Sequence, residues 1–240
     1  MRKRILFLLM AMVLVALCFK REPVLARTEK DTLSREIYEK YVQQGVISES
    51  IKYEEWRFLV EKSKELEDAL SKSPYFNEVY SSENNRVQQN FLPARGDIVI
   101  TNGTSSAGIF GHSGIAVSAY NILHIAGFGC VPELITFGSW NNTYSYVNED
   151  SWTKVYRCTD SSVANAAATW AEDNYLDSFC IYMIDEELFG TFFTYCSKIV
   201  WQAYAFGPSS PAAYVPGWSG IVLPYELPNL IYNCHLEHVY

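Results

Sequence analysis

The pattern of apolar and polar residues divides the chain into a helical first part and a strand-rich second part. In residues 28–90, apolar side chains recur every three or four positions among charged ones, which is the spacing of amphipathic helices. One helix is predicted from a Ser34 cap to Gly45, and a second ends before Pro74. The polar stretch 81–89 predicts a linker or an extended loop. We therefore expect a helical hairpin packed on the rest of the protein; a regulatory or partner-binding segment is the alternative.

The second part, residues 91–240, predicts an antiparallel sheet with helices to one side. Two amphipathic runs predict helices at 162–176 and 194–206, the second of which is closed by Gly207. Short β-branched or alternating runs predict six strands, at 97–101, 113–117, 122–126, 152–157, 179–184 and 221–223. Several antiparallel strands with helices to one side indicate an α+β fold.

The first 26 residues have the organisation of a secretory signal. Three basic residues precede the uncharged run 5–19, and Val24 and Ala26 provide the residues typical of a cleavage site. The uncharged run is shorter than the roughly 20 residues that a membrane-spanning helix needs. We therefore expect cleavage near Ala26 and a secreted or cell-envelope protein that meets the membrane only transiently, through this segment. An uncleaved amino-terminal anchor is the alternative.

Composition and charge narrow the possible functions. Of the 240 residues, 49% are hydrophobic and 15% are aromatic, which excludes a disordered chain. Without the first 26 residues the net charge is −12, and residues 91–240 carry 13 acidic side chains against four basic ones. Phosphate binding needs clustered Lys and Arg, so no nucleic-acid partner is expected. Neutral or amine-bearing substrates suit this charge better.

Two of the four histidines lie at or in the strands of a predicted hairpin. His112 and His124 flank a tight turn, and cross-strand side chains on one face lie within about 5 Å of each other. The two imidazoles can therefore meet, with the second holding the first in one tautomer; two unrelated polar strand residues are the alternative. His235 and His238 lie among polar residues and are interpreted as surface groups.

Cys196 is distinguished from the other cysteines by its position. It lies in the first turn of the predicted helix 194–206, where the helix dipole and N–H groups favour a thiolate. A histidine bonded to this thiol would form a nucleophile–base pair, whereas a structural cysteine is the alternative. Four other cysteines are interpreted as small buried residues, and in an exported protein they permit up to two disulfides in three connectivities: Cys130, Cys158, Cys180 and Cys234.

Several segments of the second part carry a family resemblance. The run Arg-Gly-Asp-Ile-Val at 95–99, followed by Gly-His-Ser-Gly-Ile-Ala at 111–116, is similar to the strand and histidine signature of permuted papain-like cysteine hydrolases. The strand Ile-Leu-His-Ile-Ala-Gly at 122–127 resembles the next strand of those enzymes. The helix at 195–204 and the segment at 221–224 are similar to the YiiX-like branch of this NlpC-type superfamily.

The resemblance implies a fold for residues 91–240 and a division of the whole chain. The implied fold is a circularly permuted papain-like (NlpC-type) fold, an antiparallel sheet packed on helices, with an amino-terminal helical extension. The chain order His112, His124, Cys196 is that of the permuted branch. YiiX-like proteins often carry Glu where His124 stands, and the related lecithin retinol acyltransferase group carries His. The chain then divides into a signal peptide, a helical region and a catalytic domain, at residues 1–26, 27–90 and 91–240.

The resemblance also implies a Cys-His-His triad. Cys196 would attack a carbonyl carbon, His112 would take the thiol proton, and His124 would orient His112. The backbone N–H of Cys196 would stabilise the oxyanion. Further candidates for binding the oxyanion or the substrate are Tyr182, Tyr195 and Ser113.

The expected function is therefore that of a secreted, monomeric cysteine hydrolase or acyl transferase. It would act on an amide bond of a cell-wall peptide or of a lipid-like substrate, without cofactor or metal. A zinc or redox site is a further alternative, but the chain contains no Cys-x-x-Cys or His-x-x-x-His pair. The other alternative is a non-catalytic module that binds cell wall or lipid through aromatics interpreted as exposed: Trp140, Tyr144, Tyr146, Trp152, Tyr214 and Trp218.

Overall fold

The computed structural model describes residues 34–72, 91–103, 110–217 and 220–240. The predicted signal segment and the predicted linker at 81–89 lie outside these residues. None of the described helices combines the length and the apolar character that a membrane crossing requires. The helices are α1 Arg35–Gln44, α2 Tyr53–Ser71, α3 Phe137–Trp140, α4 Ser161–Tyr175, α5 Cys196–Phe206 and α6 Leu227–Leu230, with a π-helical turn at Asn141–Ser145 and a 3-10 turn at Pro224–Glu226.

One antiparallel sheet forms the centre of the protein. Its strands are β1 Ile98–Thr101, β2 His112–Ala116, β3 Asn121–His124, β4 Glu133–Thr136, β5 Thr153–Cys158 and β8 Cys234–Val239. Their spatial order is β4-β3-β2-β1-β5-β8. A separate parallel pair joins β6 Ile181–Tyr182 to β7 Phe193–Thr194. The mixture of helices with an antiparallel sheet confirms the predicted α+β class.

The amino-terminal helices share the core of the sheet. Ser34 caps α1, as predicted, by accepting a hydrogen bond from an N–H of the first turn, and Gly45 ends the helix with φ 74°. Trp56 of α2 is buried edge-on against the ring of Phe110, with the ring centroids 5.0 Å apart. Because Phe110 closely precedes β2, the predicted helical hairpin packs near the start of that strand.

The two faces of the sheet bury different apolar clusters. One face carries Ile100, Ile115 and Leu123 and packs against α4 and α5. The other face carries Val99 and Ile122 and packs against α3 and the π-helical turn. Because side chains two residues apart share a face of a strand, this division also assigns a face to each polar residue of β2 and β3.

Helix α5 is buried along almost its whole length and packs closely on α4. The buried residues of its neighbour α4 are four alanines and one tyrosine, and these small side chains let the two helices approach each other. Helix α5 ends before Gly207, as predicted, but Gly207 has an ordinary φ of −72° and is not in the left-handed region. A Cβ at Gly207 would lie 2.6 Å from the Ala166 carbonyl oxygen, so it is this close contact that requires glycine.

Strand prediction failed at several places in the second part. Residues 221–223 are extended but join no described strand. The run 179–184 forms a strand only at Ile181–Tyr182, with an isolated bridge from Ile184 to Ile47. The pattern also missed β4 and β8. In β8 the register shifts opposite Val155, which leaves Glu237 as an extra residue. Such a bulge interrupts the two-residue alternation by which a strand is predicted.

His238 is not the surface group that its polar neighbours predicted. It lies half-buried in β8, and its ring stacks on Phe91 with centroids 4.2 Å apart and 5° between the planes. Burial lowers the pKa of His238. The unfolded chain therefore binds this proton more readily, and stability falls as the pH drops through the ordinary histidine range. His235 is exposed, as predicted.

A buried ion pair holds the segment that leads into β1. Asp97 accepts hydrogen bonds from Arg157 Nε at 2.9 Å and Nη2 at 2.6 Å, and from the Ala94 N–H at 2.7 Å. Arg157 also binds Glu237. Burial raises the pKa of Asp97 even though the guanidinium opposes this shift. The Asp of the Arg-Gly-Asp run is therefore structural, since it ties β1 to β5.

Replacing Arg157 with methionine is expected to destabilise the protein by about 3 kcal/mol, because it leaves the Asp97 carboxylate buried without its cation. Urea unfolding of the two proteins at pH 7 measures the change. The double variant with Asp97→Asn is the control and should recover part of the loss. If Arg157→Met costs less than about 1 kcal/mol, the pair does not hold this segment.

Candidate active site

The two histidines of the hairpin meet as the sequence predicts. His112 is the first residue of β2 and His124 the last of β3, and both are buried. His112 Nε2 lies 2.8 Å from His124 Nδ1, within hydrogen-bonding distance. The tight turn sets this pairing, since Ile115 faces Leu123 and the alternation then places both imidazoles on one face.

The neighbouring strand suggests which nitrogens carry protons in this pair. Glu133 of β4 stands directly opposite His124, with its Oε1 4.0 Å from His124 Nε2. A carboxylate on that side favours a proton on Nε2, which leaves Nδ1 of His124 as an acceptor. His112 then donates from Nε2, and its Nδ1 is the basic nitrogen. These proton positions are inferred from the distance between the two histidines and from the charge of the nearby carboxylate.

Two aromatic side chains cover the histidine pair. The Trp140 ring stacks on His112 with centroids 5.1 Å apart and 15° between the planes, and the Tyr144 ring lies 4.9 Å from His112. Both are buried, as is Trp152, so interpreting these three as exposed binding aromatics was wrong. Tyr146 and Tyr214 are exposed, and position 218 lies outside the described residues.

The sequence contained a signal for this aromatic cover. Phe137, Trp140 and Tyr144 follow each other at i, i+3 and i+7, the spacing of one helical face. They lie on α3 and the π-helical turn, and the indole N–H of Trp140 donates to Thr153 Oγ1 at 3.2 Å. Irregular helical turns of this kind are frequent at functional sites.

Cys196 begins helix α5 and faces a narrow apolar cleft. The residue is buried, and Tyr195 before it supplies no side-chain cap, so the N–H groups of the first turn favour negative charge at this end. The cleft is small, with a cavity volume of about 10 Å³, which is room for about one water molecule. Its lining is almost entirely apolar or aromatic: Phe110, Gly111, Tyr182, Ile184, Tyr195, Cys196, Ser197 and the segment 221–224.

The residues on either side of Cys196 fix one wall of the cleft. The Tyr195 hydroxyl accepts a hydrogen bond from the Val222 N–H at 3.0 Å, and Ser197 Oγ donates to the Val222 carbonyl at 2.7 Å. The N–H and the carbonyl of Val222 are therefore hydrogen-bonded to these side chains and not to a neighbouring strand. Segment 221–224 is therefore a wall of the cleft and not the strand that its apolar run predicted.

Cys196 and His112 enter the site from different faces of the sheet. The His112 ring lies on the face covered by Trp140, whereas Cys196 belongs to the apolar cluster of the helix-covered face. Gly111 links the two places, since it lines the cleft of Cys196 and directly precedes His112. It has φ 75°, and a Cβ there would lie 2.4 Å from the Tyr225 ring. His112 starts its strand, so it lies at the end of the sheet, where both faces are within reach.

The three further candidates differ in what the structure gives them. Tyr182 is buried and lines the cleft beside Cys196, so its role in binding the oxyanion stays a prediction. Tyr195 also lines the cleft, burial raises its pKa, and its hydroxyl oxygen is bonded to the wall segment. Ser113 is buried and shares the helix-covered face with Ile115. Its Oγ has no hydrogen-bond partner among the described residues.

Ser113→Ala is expected to leave stability unchanged or to raise it by about 1 kcal/mol, because a buried hydroxyl without a partner is costly. If Ser113 binds substrate, the same change should raise KM several-fold. Thermal unfolding and steady-state kinetics on one preparation separate the two effects. A loss of stability above about 1 kcal/mol would show that the hydroxyl has a structural partner.

The cations of the second part are all bound within the described structure. Residues 91–240 therefore contain no further basic side chain that could neutralise their excess of acidic side chains. The four bases and their partners are Arg95 with Glu172, Lys154 with the Leu70 carbonyl, Arg157 with Asp97 and Glu237, and Lys198 with Asp185.

None of the five cysteines in the described residues is part of a disulfide in the structure. Across the described ranges, no three His, Cys, Asp or Glu side chains are grouped so that they could hold a metal ion.

Comparisons with known proteins were made for sequence and for structure. An uncharacterized 30.3 kDa protein of Bacillus thuringiensis is 39% identical over 145 residues, which cover 57% of this chain and 53% of that protein. The chain thus spans about half the length of this relative. The crystal structure of metalloprotein yiiX from Escherichia coli O157:H7 (DUF1105) aligns with a TM-score of 0.38 and 16% identity, over 52% of this chain and 71% of that one. At that TM-score the likeness establishes no common fold.

A family model gives the assignment. Residues 65–238, well over half of the chain, match the model described as lipoprotein N-acylation protein LnsA-like. The match begins inside α2 and includes both histidines of the hairpin, the cleft and Cys196. The chain therefore belongs to the LnsA-like family of lipoprotein N-acylation proteins.

Proposed function

We propose that the protein is a cysteine-dependent acyl-transfer enzyme that takes an acyl group from a lipid-like ester or amide. One observation carries this proposal: a buried cysteine at the start of a helix faces a cleft with an apolar lining. The proposal includes the Cys-His-His triad and the permuted papain-like arrangement that the chain order His112, His124, Cys196 implies.

The lining of the cleft favours an acyl chain over a cell-wall peptide. Ile184, Ile221 and Leu223 offer apolar surface, and Tyr182 and Tyr195 add aromatic surface. A stem peptide would bring amines and carboxylates into this lining, where their desolvation would be unfavourable. The apolar groups of an acyl substrate gain free energy on contact with this lining.

The chemistry proceeds through a thioester on Cys196. The thiol proton passes to His112 Nδ1 while the sulfur attacks the acyl carbonyl carbon, and the first-turn N–H groups stabilise the oxyanion. The carbonyl–oxygen or carbonyl–nitrogen bond of the donor breaks, and the leaving group takes the proton. An acceptor then attacks the thioester and gives its proton to His112, which returns it to the sulfur. His124 keeps His112 Nε2 protonated throughout, and Trp140 keeps water away from the pair.

The acceptor is an amine in this proposal, and water is the competing acceptor. The family description names N-acylation, which fits transfer to an amine. Three of the four bases are ion-paired, and the excess of carboxylates in residues 91–240 can attract an ammonium group. If the predicted signal segment is cleaved, this transfer takes place outside the cytoplasm.

The test supplies donor and acceptor together. The purified protein is mixed with a long-chain p-nitrophenyl ester and a lipopeptide with a free amino terminus; the same lipopeptide acetylated at that terminus is the control. We expect release of nitrophenol, an acyl adduct at Cys196 by mass spectrometry, and acylation of the free amine only. Release without amine acylation would indicate a hydrolase. The absence of both adduct and release would contradict the proposal.

A further inference from the structure

Two cysteines far from the cleft stand directly opposite each other in the sheet. Strand β5 ends at Cys158 and β8 begins at Cys234, and these two residues are paired in register. The other three cysteines after the signal segment lie in a loop, beside β6 and at the start of α5. The strand register thus selects one of the possible pairings, which the sequence alone leaves open.

The backbone at this pair has the spacing that a disulfide needs. The next pair along the ladder is hydrogen-bonded, since the Thr159 N–H donates to the Asn233 carbonyl at 3.1 Å. Antiparallel pairs alternate, so Cys158 and Cys234 form the narrow, non-hydrogen-bonded pair, with Cα atoms about 4.5 Å apart. That value lies inside the range of about 4.4–6.8 Å in which disulfides are found.

Both sulfurs lie on the same side of the sheet. Cys158 is buried in the helix-covered cluster, and Cys234 packs against that cluster. Cys158 Sγ lies 3.7 Å from the Tyr232 carbonyl oxygen, so its thiol is directed toward the β8 side. Burial raises the pKa of both thiols, that of Cys234 to about 12, and Cys158 lies close enough to contribute to the shift of Cys234.

We infer that Cys158 and Cys234 are a disulfide site, closed when the exported chain meets a disulfide-bearing oxidant. The two thiols lose two protons and two electrons and form one S–S bond, and the oxidant's disulfide is reduced to two thiols. Because both thiols are protonated at neutral pH, the closure is slow without such an exchange partner.

The bond closes a loop of the chain that contains Cys196 and one wall of its cleft. The chain between residues 158 and 234 includes α4, α5 with Cys196, and the wall segment 221–224. Cross-linking a loop of this length restricts the unfolded chain. We expect the melting temperature to rise by about 10 °C on oxidation. In an oxidising compartment, the bond also removes two thiols that could otherwise form a disulfide with Cys196.

The experiment starts from the purified, fully reduced chain without its signal segment. It is exposed to glutathione disulfide, its free thiols are counted, and it is digested without reduction for mass spectrometry. The expected result is a cross-linked peptide that joins Cys158 to Cys234, three remaining thiols, and the rise in Tm. The variant C158A/C234A should show no rise, whereas Cys130→Ala and Cys180→Ala should keep it.

Three results would overturn the inference: five thiols that persist, glutathione bound to either cysteine, or a cross-link that includes Cys196. The peptide map of the unsubstituted chain gives this answer even if the double variant does not fold. The assay for the acyl adduct at Cys196 is independent of this experiment. A protein without the disulfide can still form the adduct, and a protein with the disulfide can fail to form it.

Discussion

Cys196→Ala is expected to lower acyl transfer by at least about 10³-fold while the protein keeps its fold. The sulfur is the attacking atom in the proposed mechanism, and the apolar lining of the cleft offers no other nucleophile of comparable strength. Loss of one buried sulfur should cost only about 1 kcal/mol of stability, because the change in volume is small. The rate of nitrophenol release and the mass of the acyl-enzyme measure the effect, and thermal unfolding shows that the fold persists.

Cys180→Ala is the matched control. Cys180 is another buried thiol, but Ser178 Oγ lies 3.1 Å from its sulfur, and burial raises the pKa of this thiol. It should therefore react slowly with iodoacetamide, and its loss should leave acyl transfer unchanged. Cys196 should be the thiol that iodoacetamide labels first, with activity lost in step. Transfer that survives in Cys196→Ala, or labelling of Cys196 no faster than of Cys180, would remove it as the nucleophile.

The sequence could predict the histidine contact and the start of α5 because both are local. A hairpin with a tight turn fixes its own register, so His112 and His124 must face the same side wherever the hairpin packs. In the same way, the start of a helix depends on residues within one turn. Cys196 was placed in the first turn of a helix by the sequence, and the structure makes it the first residue.

The rest of the site depends on contacts between distant segments. The wall at 221–224 has the composition of a strand, yet Val222 is held by Tyr195 and Ser197, more than twenty residues earlier. The Trp140 and Tyr144 cover had helical spacing, but only the fold shows that it lies on His112. No local pattern separates a ring that covers a histidine from a ring that binds a ligand.

Cys196 packs in the helix-covered cluster and His112 under Trp140, which makes His112 the sharpest test of the triad. Replacing His112 with glutamine is expected to lower acyl transfer by about 10²- to 10⁴-fold at pH 7, because the thiol loses its base. The loss should shrink as the pH rises past the ordinary thiol range of about 8.5, where the sulfur ionises without help. A purely structural role of His112 would not produce this dependence on pH.

His124→Gln provides the comparison within the pair. Glutamine keeps a hydrogen-bonding group near His112 Nε2, so the loss should be smaller than in His112→Gln and should show the same trend with pH. The pH–rate profiles of the three proteins, with thermal unfolding as a check on folding, measure both effects. Suppose instead that His112→Gln keeps the wild-type rate while Cys196→Ala abolishes it. The imidazole would then act only on its own face of the sheet, and the start of helix α5 alone would have to activate the sulfur.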